Sequence, residues 1–311
     1  MAARLGAEAM AAGPEWTRAP ERGSVALARF MLWLVHGIGW WPGHLLLYLI
    51  AGYFLLASPR PRAAARSYLT RALGRPAGLR DLYRLYFAFA STILDRAFLV
   101  SGKAERYRVE VHGLEALQAR IAEGRGCLIF GAHLGSFEAL RLVADRGCPV
   151  ELAILMHEAN AARLKAVFDA VGGAARAAAV IPLGTTEAML RAQECLQRNG
   201  LVGLLADRAP RAERVLEVPF LGQPAPLPTG PHLLAAVLDA PVMLAFGIWR
   251  GPRHYEVRFE PFAEPLPRGR AGREAAVAER ARRYGARLEA LCREHPYNWF
   301  NFYDFWRRDA A

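Results

Sequence analysis

Cysteine and lysine are both scarce in this chain. Its four cysteines are spread over 311 residues, a pattern that excludes a disulfide framework and the paired spacing of zinc sites. We expect reduced, buried thiols in a cytosolic compartment, and no metal, at Cys127, Cys148, Cys195 and Cys292. Lysine occurs only at Lys103 and Lys165, so the net charge of +11 rests almost wholly on arginine.

Motifs of nucleic-acid-binding proteins are also lacking, and the basic residues are spread along a chain that is 53% hydrophobic. We therefore expect no nucleic-acid partner. The excess of positive charge favours other anionic partners, such as a membrane surface or an acidic carrier protein.

Charged residues are absent from residues 30–57, which are rich in leucine and aromatic residues. A continuous helix of this length would cover about 42 Å, enough to cross a bilayer, but Pro42 is equally compatible with a kinked helix or an interfacial hairpin. Trp33, Trp40, Trp41 and Tyr48 suit the headgroup boundary. A cleaved signal peptide is disfavoured because the apolar stretch is too long and begins late, and burial inside a soluble protein is the other alternative.

Six arginines between residues 60 and 80 precede the next acidic residue, Asp81. By the positive-inside tendency, the chain after Ala57 is expected on the cytoplasmic side. We predict a flexible leader at residues 1–23, a membrane-associated helical region at 24–100 and an α/β body at 101–311.

Hydrophobic periodicity alternates between strand and helix beyond residue 100. Predicted strands cover 108–112, 127–130, 150–156, 179–183, 201–206, 241–249 and 254–260. Predicted helices cover 62–100, 114–123, 136–146, 158–171, 186–198, 230–239 and 272–293, and residues 207–229 are a predicted loop. The alternation predicts an α/β fold with a central mixed, largely parallel sheet flanked by helices.

A histidine and a carboxylate stand at one predicted strand-to-helix turn, in the sequence CLIFGAHLGSFE of residues 127–138. His133 follows the strand, and Glu138 lies in the first turn of the helix that Gly135 and Ser136 introduce. Neutral imidazole can take a proton from a hydroxyl near pH 7, and a carboxylate on its other nitrogen stabilises the imidazolium that forms. The pair suits activation of an alcohol or amine acceptor and implies no serine or cysteine nucleophile.

The His-x4-Glu spacing is weak evidence by itself. Eight histidines and 29 acidic residues among 311 give about 0.75 such matches by chance. The alternative is a loop histidine satisfied by a glutamate at a helix start, and only the surrounding context decides between the two.

The motifs together resemble the bacterial lipid A biosynthesis (lauroyl/myristoyl) acyltransferases, within the lysophospholipid acyltransferase group. The resemblance covers residues 25–260 and comprises the apolar segment with its arginine flank, GAHLGSFE, LLADRAPR and VPFLGQPAPLPTGPHLLA. It implies transfer of a fatty acyl group from a thioester of acyl carrier protein or coenzyme A to a hydroxyl of a lipid or glycolipid acceptor. The implied location is the cytoplasmic face of the bacterial inner membrane, and no cofactor is needed.

The resemblance also implies residue roles. His133 is the general base and Glu138 its orienting partner, with direct attack by the acceptor and no covalent acyl-enzyme. Asp207 matches the first acid of the family's strand-end motif. Arg176 and Arg208 are candidates for binding phosphate or pantetheine oxygens, and a solvated surface position is the alternative for both.

Two departures from the family pattern bear on the acceptor. Ala209 stands where the family has a second acid, and residues 295–308 read HPYNWFNFYDFWRR, where the lipid A enzymes have a tryptophan followed by a histidine- and arginine-rich run. Exchanging cations for aromatic residues favours a less charged or conjugated acceptor, as in the similar acyltransferases associated with aryl polyenes. The alternative is an aromatic tail that only packs on the body or the membrane.

Other functions fit part of the pattern. Glycerophospholipid acylation uses the same histidine chemistry, although the phosphate-binding arginine motif of that branch is not visible. A thioesterase would use water as the acceptor. A module that only docks onto membranes or carrier proteins would keep the apolar N-terminus and the basic surface, but would need neither His133 nor Glu138.

Overall fold

The computed structural model describes residues 39–100, 104–147, 150–156, 179–183, 185–208, 214–266 and 272–306. The predicted leader, Cys148, the predicted helix at 158–171 and Arg176 lie outside these residues. The helices are α1 (Trp40–Ala57), α2 (Pro59–Leu73), α3 (Leu79–Val100), α4 (Leu114–Ala122), α5 (Phe137–Gly147), α6 (Thr186–Gln197), α7 (Gly230–Val237) and α8 (Arg273–Glu294). The strands are β1 (Arg108–His112), β2 (Cys127–Gly131), β3 (Leu152–Met156), β4 (Ala179–Pro182), β5 (Leu201–Leu205), β6 (Val215–Phe220), β7 (Gln223–Pro228), β8 (Val242–Gly251) and β9 (His254–Ala263).

The main sheet has seven strands in the order β1-β9-β8-β2-β5-β3-β4. Strands β8 and β9 are antiparallel, and all other neighbours in this sheet are parallel. The predicted α/β fold with a mixed, largely parallel sheet is therefore confirmed. Strands β2 and β5 lie side by side near the centre, so their carboxyl ends are the natural place for a site.

The core lies on both faces of the sheet because successive side chains of a strand point to opposite sides. Leu128 and Phe130 of β2 pack with residues of α1, α2, α3 and α8 on one face. Cys127 packs on the other face with α5 and with further residues of α1 and α3. Helices α1 to α3 thus share their core with the sheet.

The region predicted as a loop at 207–229 contains the β6–β7 hairpin, so that prediction was wrong. Four prolines lie in its two strands, and proline normally argues against a strand because it lacks the N–H that a ladder requires. The hairpin tolerates them because it forms a separate two-stranded sheet, in which each strand needs hydrogen bonds on one side only.

Helix α1 begins at Trp40, which places Pro42 in the first turn, where its missing N–H costs no hydrogen bond. Within the described residues, Pro42 therefore neither kinks the helix nor makes a hairpin. Pro59 starts α2 in the same way, and the predicted helix at 62–100 is interrupted at Gly74, which adopts a left-handed conformation with φ 64°.

The buried carboxylate of Asp95 joins α1 to the body of the protein. Its Oδ1 accepts hydrogen bonds from Trp40 Nε1 and the Tyr107 hydroxyl, both at 2.8 Å, and its Oδ2 accepts one from the Tyr255 hydroxyl at 2.8 Å. Burial raises the pKa of Asp95, although the three hydrogen bonds oppose that change. Asp95 lies on α3, so this cluster connects α1, α3 and β9.

Candidate active site

Two neighbouring strand ends bring His133 and Asp207 together. Strands β2 and β5 are parallel, and their last residues, Gly131 and Leu205, are register partners. His133 and Asp207 each follow two residues later. Asp207 Oδ1 lies 2.8 Å from His133 Nδ1, and Asp207 Oδ2 accepts the backbone N–H of His133 at 3.1 Å. The parallel register therefore builds the pair from residues that are far apart in sequence.

Asp207 is fully buried and surrounded by donors. Besides His133, its Oδ2 accepts the indole N–H of Trp299 at 3.0 Å and lies 3.6 Å from Arg208 Nε. Burial by itself would raise the pKa of Asp207, but His133, Arg208 and Trp299 hold that pKa well below its usual value. The group is a carboxylate at neutral pH and can only accept hydrogen bonds.

An ionised Asp207 determines the tautomer of His133. Nδ1 carries the proton that points at the carboxylate, so Nε2 has the basic lone pair. Desolvation lowers the pKa of His133, the charge of Arg208 lowers it further, and Asp207 opposes them without reversing the direction. The imidazole is therefore neutral near pH 7. Its side chain is 36% exposed, which lets a reacting group approach.

Glu138 has a different partner from the one that the sequence predicts. It lies in the first turn of α5, almost buried, with Oε1 at 2.6 Å from Nε of Arg96 on α3. The approach is that of a close ion pair, although the N–H is not aligned as a hydrogen-bond donor. The carboxylate that orients His133 is Asp207, because the register of β2 and β5 puts it against Nδ1. A catalytic role for Glu138 stays a prediction.

The turn after His133 is held tightly against β8. Gly135 has φ 69°, and a Cβ at this position would overlap the carbonyl oxygen of Gly247. The backbone N–H of Ser136 donates to that same carbonyl at 2.6 Å, and its hydroxyl accepts the Ala139 N–H at 3.3 Å. The predicted glycine turn and serine cap are both present. They fix where α5 begins and hence where Glu138 lies.

Residues 295–306, the C-terminal segment, run across this turn. The Phe300 N–H donates to the His133 carbonyl, and the Gly135 N–H donates to the Asn298 carbonyl, both at 2.9 Å. The Asn298 side chain accepts from the Trp249 N–H at 2.7 Å and donates to the Trp249 carbonyl at 3.1 Å. The segment thus ties the His133 turn to β8.

Three of the seven aromatic residues of the C-terminal segment are buried in the core. Trp299, Phe300 and Phe305 are buried, and Phe220 of the hairpin packs against Trp299 and Phe305 with ring centroids 5.4 and 5.7 Å apart. For these residues the structure shows the packing alternative. Phe302 is half-buried and remains within reach of solvent.

Arg208 is fixed by the protein and is not a solvated surface residue. Its Nη2 donates to the Phe300 carbonyl at 2.6 Å, and its guanidinium lies over the ring of Tyr303, 5.2 Å from the centroid. Arg176 lies outside the described residues, so its predicted role stays a prediction. Within the described ranges, no group of His, Cys, Asp and Glu side chains could hold a metal ion.

Two residues that contact the site were not predicted from the sequence, Trp299 and Arg96. From the sequence, Trp299 is included only within the aromatic run of residues 295–308, and no role is assigned to Arg96. One signal in the sequence could have indicated Trp299. The lipid A acyltransferases that the sequence resembles also have a tryptophan in this region, before their histidine- and arginine-rich run.

A histidine paired with a carboxylate at the carboxyl edge of an α/β sheet is typical of an enzyme that moves a proton during group transfer. The chain belongs to the bacterial lipid A biosynthesis acyltransferase family, whose family model matches residues 86–308. The protein is therefore an acyltransferase of lipid biosynthesis that acts on a lipid acceptor, as the motifs predict. The matched range includes His133, Asp207 and the whole C-terminal segment.

Among solved structures, the chain is similar to the 1-acyl-sn-glycerophosphate (LPA) acyltransferase from Thermotoga maritima. The two are 18% identical, the match covers 79% of this chain and 97% of that one, and the TM-score is 0.33. No curated protein sequence matches the chain.

Proposed function

We propose that this protein transfers a fatty acyl group from an acyl thioester to a hydroxyl of a lipid or glycolipid acceptor at the cytoplasmic face of the bacterial inner membrane. The observation that carries the proposal is the His133–Asp207 pair. Asp207 occupies Nδ1 at 2.8 Å and leaves Nε2 of a partly exposed ring basic, in a chain of the lipid A acyltransferase family.

The reaction follows from that arrangement. Nε2 of His133 takes the proton of the acceptor hydroxyl while the hydroxyl oxygen attacks the carbonyl carbon of the thioester. As the new C–O bond forms, the C–S bond breaks, and the departing thiolate takes the proton from the imidazolium. Asp207 stabilises the imidazolium in between. A positioned base of this kind contributes roughly 10²- to 10⁴-fold, or about 3 to 5 kcal/mol of the barrier.

Glu138 has a catalytic role in this proposal, but not as the partner of Nδ1. Its carboxylate stands in the helical turn that follows His133, and at rest Arg96 balances its charge at 2.6 Å. A second negative charge in this turn favours the imidazolium that forms during the reaction. Arg208 is assigned to the donor or acceptor site because it is held beside Asp207.

Helix α1 supports attachment to the membrane surface. Among the described residues it alone is long and apolar enough to cross a membrane, and a third of it is buried. Trp41, Leu45, Leu49, Tyr53 and Leu56 are between 62% and 72% exposed and recur at helical spacing. The opposite face packs against the protein, as Leu47, Ala51 and Leu55 are buried. We assign α1 to the lipid interface and residues 24–100 to the membrane-associated region.

The charge of the protein and one apolar surface bear on the substrates. A net charge of +11 favours an acidic acyl carrier protein over coenzyme A as the donor, by steering the encounter. Phe89 of α3 is 37% exposed and lies 5.1 Å from Phe302 and 5.2 Å from Phe300, centroid to centroid. This aromatic surface adjoins His133 through Phe300, and it favours an acceptor with an apolar or conjugated part, aryl-polyene-like, beside the lipid A-like class.

The test is a transfer assay with the purified protein in vesicles of extracted bacterial lipid. Radiolabelled acyl groups are offered on acyl carrier protein or on coenzyme A, and mass spectrometry of the lipid extract identifies the acceptor and the acyl length. We expect label in lipid, and a loss of at least about 100-fold in His133→Gln. His112→Gln is the matched control, because His112 is a largely exposed histidine on β1.

Each other outcome identifies an alternative. Label found only as free fatty acid indicates a thioesterase, and an acylated glycerophosphate indicates the glycerophospholipid branch. Vesicle binding without turnover indicates a docking module. Full turnover in folded His133→Gln would falsify the assignment of the base, and full turnover in Glu138→Gln would remove Glu138 from the site.

A further inference from the structure

Trp299 touches the carboxylate that holds His133. Its indole Nε1 donates to Asp207 Oδ2 at 3.0 Å, and both side chains are fully buried. The same Oδ2 accepts the backbone N–H of His133 at 3.1 Å, so Oδ1 is left for the imidazole at 2.8 Å. The two donors on Oδ2 fix the plane of the carboxylate and aim Oδ1 at Nδ1.

The indole ring is itself held from several sides. Tyr68 of α2 meets it edge-on with centroids 4.9 Å apart, and Phe305 does the same at 5.0 Å. Tyr68 also donates to the Pro296 carbonyl at 2.8 Å. Leu134, next to His133, forms an isolated antiparallel bridge with Trp299. The N–H of Trp299 therefore cannot turn away from Asp207 without unpacking the C-terminal segment.

We propose that Trp299 is a positioning residue of the acyl transfer, which acts through Asp207 to set the strength of the base His133. The proposal rests on the proposed function of His133. A hydrogen bond to a buried carboxylate withdraws negative charge from it. With the indole N–H in place, Asp207 attracts the Nδ1 proton less strongly and the imidazole stays neutral to lower pH.

His133 is the group near Asp207 that titrates in the working range. The other titratable or charged groups facing Asp207 are Arg208 after β5, Tyr284 and Cys292 of α8, and Tyr303 of the C-terminal segment. Burial raises the pKa of Tyr303 to about 12 and raises those of Tyr284 and Cys292 as well. These three are neutral between about pH 5 and 9, and Arg208 stays charged.

The experiment measures kcat/KM against pH in Trp299→Phe, which keeps an aromatic ring and removes the N–H. We expect the acid limb to move up by about 0.5 to 1 pH unit, because a more basic Asp207 raises the pKa of His133. The KM for the acyl donor should change less than kcat does at pH 6. Trp306→Phe is the matched control, since Trp306 lies in the same segment and donates to the Phe220 carbonyl at 3.3 Å.

A role in packing alone would lower the unfolding temperature or the active fraction and leave the acid limb where it is, and that result in a folded variant overturns the proposal. If Trp299→Phe does not fold, the same pH profile is measured with 3-benzothienylalanine at position 299. This residue keeps the ring shape and replaces the N–H by sulfur. Full activity in His133→Gln would instead contradict the proposed function, because His133 would then not be the general base. The two failures are therefore distinguishable.

Discussion

The charge of Arg208 lowers the pKa of His133, the proposed base. Desolvation lowers the pKa of His133, and the neighbouring guanidinium lowers it further. Arg208→Gln removes a positive charge that disfavours the imidazolium form. We expect the pKa of His133 to rise and the acid limb of kcat/KM to move up by about one pH unit, because activity is lost as pH falls through that pKa.

The control for this prediction is Arg208→Lys, which keeps the charge and should keep the acid limb near its wild-type position. Weaker substrate binding would raise KM at every pH in both variants. It would therefore not produce a shift in the acid limb of kcat/KM. An acid limb that stays in place in Arg208→Gln contradicts the prediction.

The candidate site shows what a linear spacing can predict. His133, the glycine turn and the serine cap follow from twelve consecutive residues, because strand end, turn and helix start are local signals. The partner of His133 does not follow from them, since Asp207 is 74 residues away in the chain and reaches Nδ1 only through the pairing of β2 with β5. Glu138 is near in sequence, but helix α5 carries it towards Arg96.

Two adjacent residues of helix α3, Asp95 and Arg96, contact different parts of the protein. Asp95 accepts three hydrogen bonds and holds α1, and Arg96 pairs with Glu138 of α5. Helix α3 thus connects α1 with the helix that follows the His133 turn. We expect the loss of a hydrogen bond at Asp95 to destabilise α1 before the rest of the protein.

Trp40→Phe tests this connection. The variant loses one hydrogen bond to the buried carboxyl group of Asp95 while keeping an aromatic ring, which should lower the free energy of unfolding by about 1 to 3 kcal/mol. We expect faster amide hydrogen exchange within α1 and a kcat close to wild type. Trp41→Phe is the matched control, since Trp41 is the exposed neighbour. Equal losses in the two variants would show that the bond to Asp95 contributes nothing.

Helices and strands differed in how far the sequence predicted them. Elements with a clear period and a capping residue, such as α6 with Thr185 as its N-cap, were predicted to within a residue. The β6–β7 hairpin was not predicted because its four prolines argue against strands in the interior of a sheet. The break between α2 and α3 was also missed, although Gly74 and Pro76 mark it.

At the scale of the whole molecule, the exposed stripe of α1 predicts how the protein meets a vesicle. Leu45→Ser combined with Leu49→Ser removes two exposed apolar side chains, each worth about 1.5 to 3 kcal/mol when buried in lipid. We expect co-sedimentation with anionic vesicles to weaken by at least about 100-fold. Turnover of a detergent-dispersed acceptor should stay near wild type.

Leu190→Ser combined with Val237→Ser is the matched control, because these residues are similarly exposed on α6 and α7. Unchanged binding in the α1 variant, or equal weakening in both, would argue that the membrane contact lies elsewhere on the protein.

The fold class was predictable because strands and helices alternate with short connections. The order of strands in the sheet was not, since it depends on which helix covers which face, and that depends on packing between distant segments. The sharing of one core by α1, α2, α3 and the sheet was equally hidden, because composition alone suggests a membrane region separate from the body.

The position of the C-terminal segment in the chain determines when the site is completed during synthesis. Trp299 is synthesised 92 residues after Asp207, so while the ribosome is still working the buried carboxylate has no indole partner and the His133 turn has no cover. Helix α1 emerges long before that. The order of synthesis therefore delivers helix α1 first and the indole that fixes Asp207 last, so the environment of the His133–Asp207 pair is completed only after residue 299 has been added.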